Sequence, residues 1–501
     1  MLASKRSSEK LVDKNLQPSK RSKIESGDGT CGDKKPDSTL KSKSKKNNET
    51  ILVNPEFEER VEVNSVKRTQ LNTAAHIVRT FTSERFEIRS PDVLCFTSCC
   101  QVPHITADLY DKSVIGDIQV VSLHSVITHP GACVLKTLGK TLAQYTSSCS
   151  KIILTPYNSS EPCDLQSFND QLSVSVWNKA GRKKVTCREY VDIVEACSPE
   201  MFVSLSDVVP PTVSKKRANK SCYRTLNWVE ETLSLLMAKS GNVATQLLAP
   251  IPGSGHRQLM MKSAKILGSR DVFGYVIERA TLPQDWGNLV RDVISVLPNS
   301  RPVMMMGVLN ELELVQAYNC GCHFVDSSFV LHYSNNGQAM AVDVSNPEKL
   351  QDPKSAVAKV PSSQFGPSLS ESAINIKPED KPSGKIKLFS LSDYLPSPDL
   401  TLDLRSPAFA LQFIPLNNTC TCVTCARHTR GYVNHLLVTH ELLAPTLLML
   451  HNLAHVRGLV DEVKRRVVAS NNIFAEESKH LAGLEVLVEL YTKLIETSEQ
   501  P

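Results

Sequence analysis

The chain reads as an α/β protein built as a (β/α)8 barrel, with a cysteine-rich segment near its C-terminal end. Three observations predict this. Strand-like apolar runs alternate with helix-like ones through the middle of the 501 residues. No glycine fingerprint of the G-x-G-x-x-G kind accompanies them, which lowers the case for a dinucleotide fold. At 41% hydrophobic residues, the chain has ample material for a large core.

The elements follow in order. The first 50 residues carry 13 Lys and Arg against 7 Asp and Glu and contain no Phe, Trp or Tyr. Such a segment cannot bury enough apolar surface to offset its ordering entropy, so residues 1–75 read as a disordered basic tail. Its "SKRSK" and "KSKSKK" clusters suit nuclear import or RNA contact as well as a solvated tail. Glu9 and Asp13 argue against a mitochondrial transit peptide. Beyond residue 50 the chain holds 44 bases and 45 acids, so bulk charge says nothing of nucleic-acid binding.

Residues 76–345 form the main part of the barrel. The strand-like runs are "FVSLSDVV", "TQLLAPI", "FGYVIE", "PVMMMGV" and "HFVDSSF". Between them lie "YRTLNWVEETLSLLMAKS", "HRQLMMKSAKILGS", "PQDWGNLVRDVISVL" and "NELELVQAYNCG". Apolar positions in "WGNLVRDVISVL" recur at three- and four-residue steps, as an amphipathic helix requires. Alternating βα units imply a parallel sheet. Five units and a less regular stretch before them suit a (β/α)8 barrel, with a doubly wound open sheet as the runner-up. Residues 346–384, rich in Pro, Ser and Lys, read as a surface insertion. Residues 385–495 hold the cysteine-rich segment and closing helices.

No apolar h-region opens the sequence, and its longest apolar run, "LLAPTLLML", is far shorter than the roughly 20 residues a bilayer needs. The 15 cysteines are an odd number without a regular framework, which suits reduced thiols in the cytoplasm.

Two sets of residues carry candidate chemistry. In a barrel, reactive groups stand at the C-terminal ends of strands. Asp207 and Asp326 fall there and are expected to face the barrel mouth; each also suits a simple cap of the following loop or helix. The second set is Cys420, Cys422 and Cys425 with His451. Three thiolates and an imidazole suit tetrahedral Zn²⁺ and leave no position for a catalytic water, so one structural zinc ion per chain is expected. Spacing alone does not choose the histidine, because His428, His435, His440 and His455 lie nearby.

"CTCVTCARHTRGYVNHLLVTHELLAPTLLMLHNLAH" resembles the zinc segment of the tRNA-guanine transglycosylase family. That resemblance selects Cys420, Cys422, Cys425 and His451 as the ligands. It extends back through "RPVMMMGVLNELELVQAYNCGCHFVDSS". It implies an irregular (β/α)8 TIM barrel with an inserted zinc subdomain. Catalytic members exchange a guanine in tRNA, using one aspartate as nucleophile on the ribose and a second as general acid/base. In eukaryotes the incoming base is queuine and the target is the wobble guanine of the anticodon.

The departures from that pattern point away from catalysis. Asp326 falls at the family's nucleophile position, but Val330, Leu331 and His332 stand where catalytic members have Pro-Thr-Arg. The segment with the second aspartate is missing; the region reads "SFNDQLSVSVWNKAGRKKVT". The guanine-reading aspartate aligns with Ser206, with Asp207 one step late, which on a strand would face the opposite side. "ERATLPQDW" replaces a Gly-Gly loop. Together these look like the non-catalytic, accessory members of the family. They imply pairing with a catalytic subunit as a heterodimer, contact with tRNA through that complex, and possible peripheral contact with the mitochondrial outer membrane. Lys215, Lys216, Arg217 and Lys220, in a loop after the Asp207 strand, are the expected phosphate contacts. A self-sufficient transglycosylase built on Asp326 and a zinc-stabilised RNA-binding scaffold are the alternatives.

Overall fold

The computed structural model describes residues 77–109, 116–160, 168–178, 181–239, 245–342, 400–471 and 484–498. The expected tail at 1–75 and insertion at 346–384 lie outside them.

Eight parallel strands close a barrel. In chain order they are β3 (Asp92–Thr97), β4 (Ile118–Ser122), β5 (Lys151–Thr155), β8 (Met201–Val203), β9 (Gln246–Pro250), β10 (Gly274–Glu278), β11 (Val303–Met306) and β12 (Phe324–Asp326). The ring shuts where Phe324 pairs with Asp92 and Asp326 with Leu94. Alternate residues point inward: Ile118 and Val120, Met201 and Val203, Met304 and Met306 share one core with Leu94, Ile153, Leu248, Val276 and Phe324. The outward residues are covered by helices, so the strands read as continuous apolar runs rather than alternating ones. A hairpin of β1 (Arg79–Thr82) and β2 (Glu87–Ser90) closes the N-terminal end. Its Phe81 packs edge-on against His323, with ring centroids 5.0 Å apart.

The five βα units read from sequence are β8 to β12. Their helices are α5 (Lys215–Ala238), α6 (Arg257–Gly268), α7 (Gly287–Ser295), α8 (Glu311–Asn319) and α9 (Ser328–Asn335). The barrel, not the open sheet, is the architecture. The first three strands went unread because what links them lacks helical periodicity. Three short helices, α1 (Leu123–Val126), α2 (Gly131–Leu138) and α3 (Leu142–Thr146), follow β4. After β5 comes a hairpin of β6 (Ser173–Asn178) and β7 (Gly181–Thr186), then α4 (Cys187–Cys197). A Thr186–Glu189 capping box starts α4.

Two boundaries differ from expectation. The strand expected across "FVSLSDVV" ends at Val203. Beyond it the backbone turns over the barrel, and the Asp207 amide bonds the Thr225 hydroxyl at 3.0 Å rather than a neighbouring strand. The opposite-face argument for Ser206 and Asp207 therefore does not hold, and both line one small cavity. The basic stretch 215–220 is not a loop but the opening of α5, because the Ser214 hydroxyl accepts from the Arg217 amide and caps the helix.

A second core lies beside the barrel. β13 (Gln338–Met340) pairs antiparallel with β14 (Thr401–Asp403). Against this pair pack α10 (Val423–Arg427), α11 (Arg430–Val438) and the 29-residue α12 (Leu443–Asn471), burying Ala339, Leu404, Leu416, Val433 and Leu448. α12 then runs back along the barrel, where Arg457 meets Asp92 at 2.6 Å. α13 (Leu484–Ser498) packs on α8. Among the described residues no helix is long and apolar enough to cross a membrane.

Candidate metal centre and barrel mouth

The three cysteines sit on a knuckle. Cys422 caps α10, its sulfur accepting from the Cys425 amide at 3.4 Å. Thr424, fully buried between them, donates to the Leu447 carbonyl at 2.7 Å and ties the knuckle to α12. From α12, the Nδ1 of His451 faces all three sulfurs, at 3.7 Å from Cys420, 3.6 Å from Cys422 and 3.3 Å from Cys425. The four donor atoms lie within 4.8 Å of one another. A tetrahedron with metal–sulfur bonds of about 2.3 Å and a metal–nitrogen bond of about 2.1 Å has edges of roughly 3.5–3.8 Å. The three nitrogen–sulfur distances match those edges, and the set could hold a metal ion.

The surroundings set the ligand chemistry. His451 donates from Nε2 to the Met340 carbonyl at 2.8 Å, which fixes the tautomer that leaves Nδ1 as a ligand. Hydrogen bonds from the Cys420 and then the Cys425 thiols hold the Cys422 thiol down to about 3. Cys425 is pushed up by hydrogen bonds with Cys420 first and then Cys422. Cys422 thus carries thiolate character before any metal enters. The competing histidines do not join: His455 Nε2 stands 3.3 Å from Glu311, His428 stacks on Tyr432, and His435 and His440 are exposed. Asn452, the residue after His451, is fully buried. It holds β13 in register, accepting from the Met340 amide at 2.9 Å and donating to the Gln338 carbonyl at 3.0 Å.

At the barrel mouth, only β10 and β12 end on carboxylates, Glu278 and Asp326. Asp326 is fully buried. Its Oδ1 accepts from the amides of Gly307 and Val308 at 2.9 and 3.3 Å, beyond the end of β11. Gly307 takes a left-handed φ of 80° there. Burial pushes Asp326 up to about 6, against the pull of the Ser328 and Ser159 hydroxyls and those amides. Glu278 goes up to about 8, from burial first and the Asp326 charge second, and its Oε1 accepts no hydrogen bond. Glu278 was read in the sequence as the end of the "FGYVIE" strand and the start of a replaced loop; its nearness to Asp326 follows from the strand order, which sets β10 and β12 on either side of β11. Val330 is buried in α9 and His332 bonds Asn336 beside it.

Asp207 does not present a free carboxylate at the mouth. It takes Arg217 at 2.7 and 2.9 Å, Arg224 at 3.0 Å and Asn169 at 2.9 Å. Burial raises it, but Arg217, Asn169 and Arg224 outweigh burial and leave it below the usual range. Arg217 is thereby turned to Asp207, while Lys215, Lys216 and Lys220 remain exposed. Ser206 bonds the Tyr157 hydroxyl through its amide at 3.2 Å.

A closed parallel barrel with an aspartate ending its last strand, and a Cys3His cluster able to hold a metal on a flanking subdomain, defines a TIM-barrel protein with a cysteine knuckle. The profile of one such family, queuine tRNA-ribosyltransferase, matches residues 74–480. The chain belongs to that family. It is 28% identical over 382 residues to a chicken (Gallus gallus) protein named queuine tRNA-ribosyltransferase accessory subunit 2, covering 73% of this chain and 84% of that one. A zebrafish (Danio rerio) protein of the same name is 26% identical, over 77% of this chain and 91% of its own. The human (Homo sapiens) one is 25% identical, over 79% and 92%.

Proposed function

We propose that this chain is the non-catalytic subunit of a heterodimeric transglycosylase that exchanges the wobble guanine of tRNA for queuine. The observation that carries this reading is the state of the barrel mouth. Asp326 spends one oxygen on two backbone amides and is sealed from solvent. A nucleophile needs an exposed, ionised carboxylate and a partner able to give and take a proton. The names of the relatives support the same reading.

Cys420, Cys422, Cys425 and His451 would hold a structural Zn²⁺, since a full Cys3His set leaves no open coordination position. The metal would stiffen a surface suited to a partner chain. Large apolar side chains stand out around α11, with Phe413 at 74% and Leu442 at 85% exposed. Exposed apolar groups gathered beside a rigid centre suit protein docking. In this reading the complex works in the cytoplasm.

A second reading has one observation in its favour. Glu278, with its raised affinity for a proton, is the acid that a self-sufficient enzyme using Asp326 would need. Labelled-guanine incorporation into a tRNA with a wobble guanine separates the two. Incorporation only when this chain is mixed with a catalytic subunit, and equally with Asp326→Asn, supports the accessory role. Incorporation by this chain alone, lost in Asp326→Asn, overturns it.

A further inference from the structure

The β6–β7 hairpin has two unlike faces. Strand alternation puts Val174, Val176 and Val185 on one side, and all three are buried. The other side carries Trp177 paired with Arg182 and Ser175 paired with Lys184. Trp177 is 49% exposed and Phe168, packed on it with centroids 6.2 Å apart, is 54% exposed. The Arg182 guanidinium lies over the Phe168 ring at 5.0 Å.

This aromatic and cationic face is held rigidly at the barrel rim. Asn169 accepts from the Ser175 amide at 2.9 Å and donates to Asp207, which Arg217 and Arg224 lock in place. Ser175 donates to the Phe168 carbonyl at 3.0 Å, and the buried indole of Trp228 donates to the Gln171 carbonyl at 3.2 Å. Aromatic rings left half in water, with a guanidinium already stacked among them, match the stacking and phosphate contacts of single-stranded nucleic acid.

We propose that the outer face of this hairpin is a stacking platform for unpaired bases of an RNA strand. Phe168 and Trp177 take the bases, and Arg182, paired with Trp177 on the same face, neutralises the backbone. The exposed lysines that open α5, just beyond the same Asp207 anchor, extend the cationic track. The inference rests on the reading of this chain as a subunit that works on tRNA, and assigns to it an RNA contact of its own.

The test is a fluorescence titration of the full chain with an oligouridylate of about 12 nucleotides, then with tRNA. Trp228 and Trp286 are 1% and 0% exposed, so quenching reports Trp177. Saturable quenching by both RNAs is expected. Phe168→Ala should weaken binding about 5- to 10-fold. Arg182→Gln should flatten the log Kd against log salt slope by about 0.7. Both variants should melt as the parent does. No quenching, or variants that bind as the parent does, overturns the proposal. So does quenching by the catalytic subunit but not by RNA, which makes the face a protein contact. The guanine-exchange assay is read separately: if the chain fails to support exchange, the accessory reading falls while the titration still decides the platform.

Discussion

His451 donates from Nε2 to the carbonyl of Met340, 111 residues earlier in the chain and 2.8 Å away. One imidazole thus does two jobs. It turns Nδ1 toward three sulfurs and pins β13, the strand that follows the barrel, to the helix that follows the cysteines. The Cys3His cluster is a joint between segments, and loss of a metal held there should be felt there first.

Metal content follows directly. The purified chain should carry about one zinc per molecule, measured by atomic absorption, and Cys422→Ser or His451→Ala should lose it. Hydrogen exchange should then rise across 400–450, while β3 to β12 keep their protection because the barrel core contains none of these residues. Unchanged affinity for the catalytic subunit in the metal-free variant would sink the docking role of the subdomain.

Asn452 should matter nearly as much as a ligand. Asn452→Ala leaves the Met340 amide and the Gln338 carbonyl without this partner in a buried site, at a cost of about 2–3 kcal/mol. Loss of such support around a centre typically lowers metal affinity about 10- to 100-fold. Denaturant unfolding and a competitive chelator titration read the two effects.

The Asp207 cluster is structural. Asp207→Asn removes the charge that compensates Arg224, which is itself buried, and should cost about 3–5 kcal/mol. Lys215→Ala, on the exposed opening of α5, should stay within about 0.5 kcal/mol of the parent. Equal melting of both variants would contradict the geometry.

Stability should fall as pH rises. Glu278 holds its proton to about 8 in the fold, against an ordinary value of 4.5. Between these two values the unfolded chain gives up a proton that the folded chain keeps. The stabilisation is full below the lower value and gone above the upper one. Glu278→Gln should flatten this slope and gain up to roughly 5 kcal/mol at pH 9 relative to the parent. Thermal melts across pH 5–9 check it; parallel curves for the two proteins would show that Glu278 is not buried as described.

Much of the fold was legible because it is written in local pattern. The helices after β8 to β11 have apolar faces at helical spacing, and their strands are apolar runs of the right length. The first three barrel strands were not legible, because the connections after β4 and β5 are short helices and a hairpin with no such period. The cysteine knuckle was legible since its residues are close in sequence. Asn452 was in plain view beside His451, but nothing local says that its amide reaches β13.

The sequence by itself determined the class of fold and the cysteine knuckle, which are matters of composition and short-range spacing; its resemblance to a known family singled out His451 and the mismatch between Asp326 and the residues that should accompany it. Tertiary structure alone decided which charges meet. It brought Glu278 beside Asp326, enclosed Asp207 between Arg217 and Arg224, and set Phe168 and Trp177 outward on one hairpin face. Burial and long-range pairing depend on barrel closure, which joins residues more than 200 positions apart, as in Asp92 with Phe324. Spacing along the chain carries no record of that.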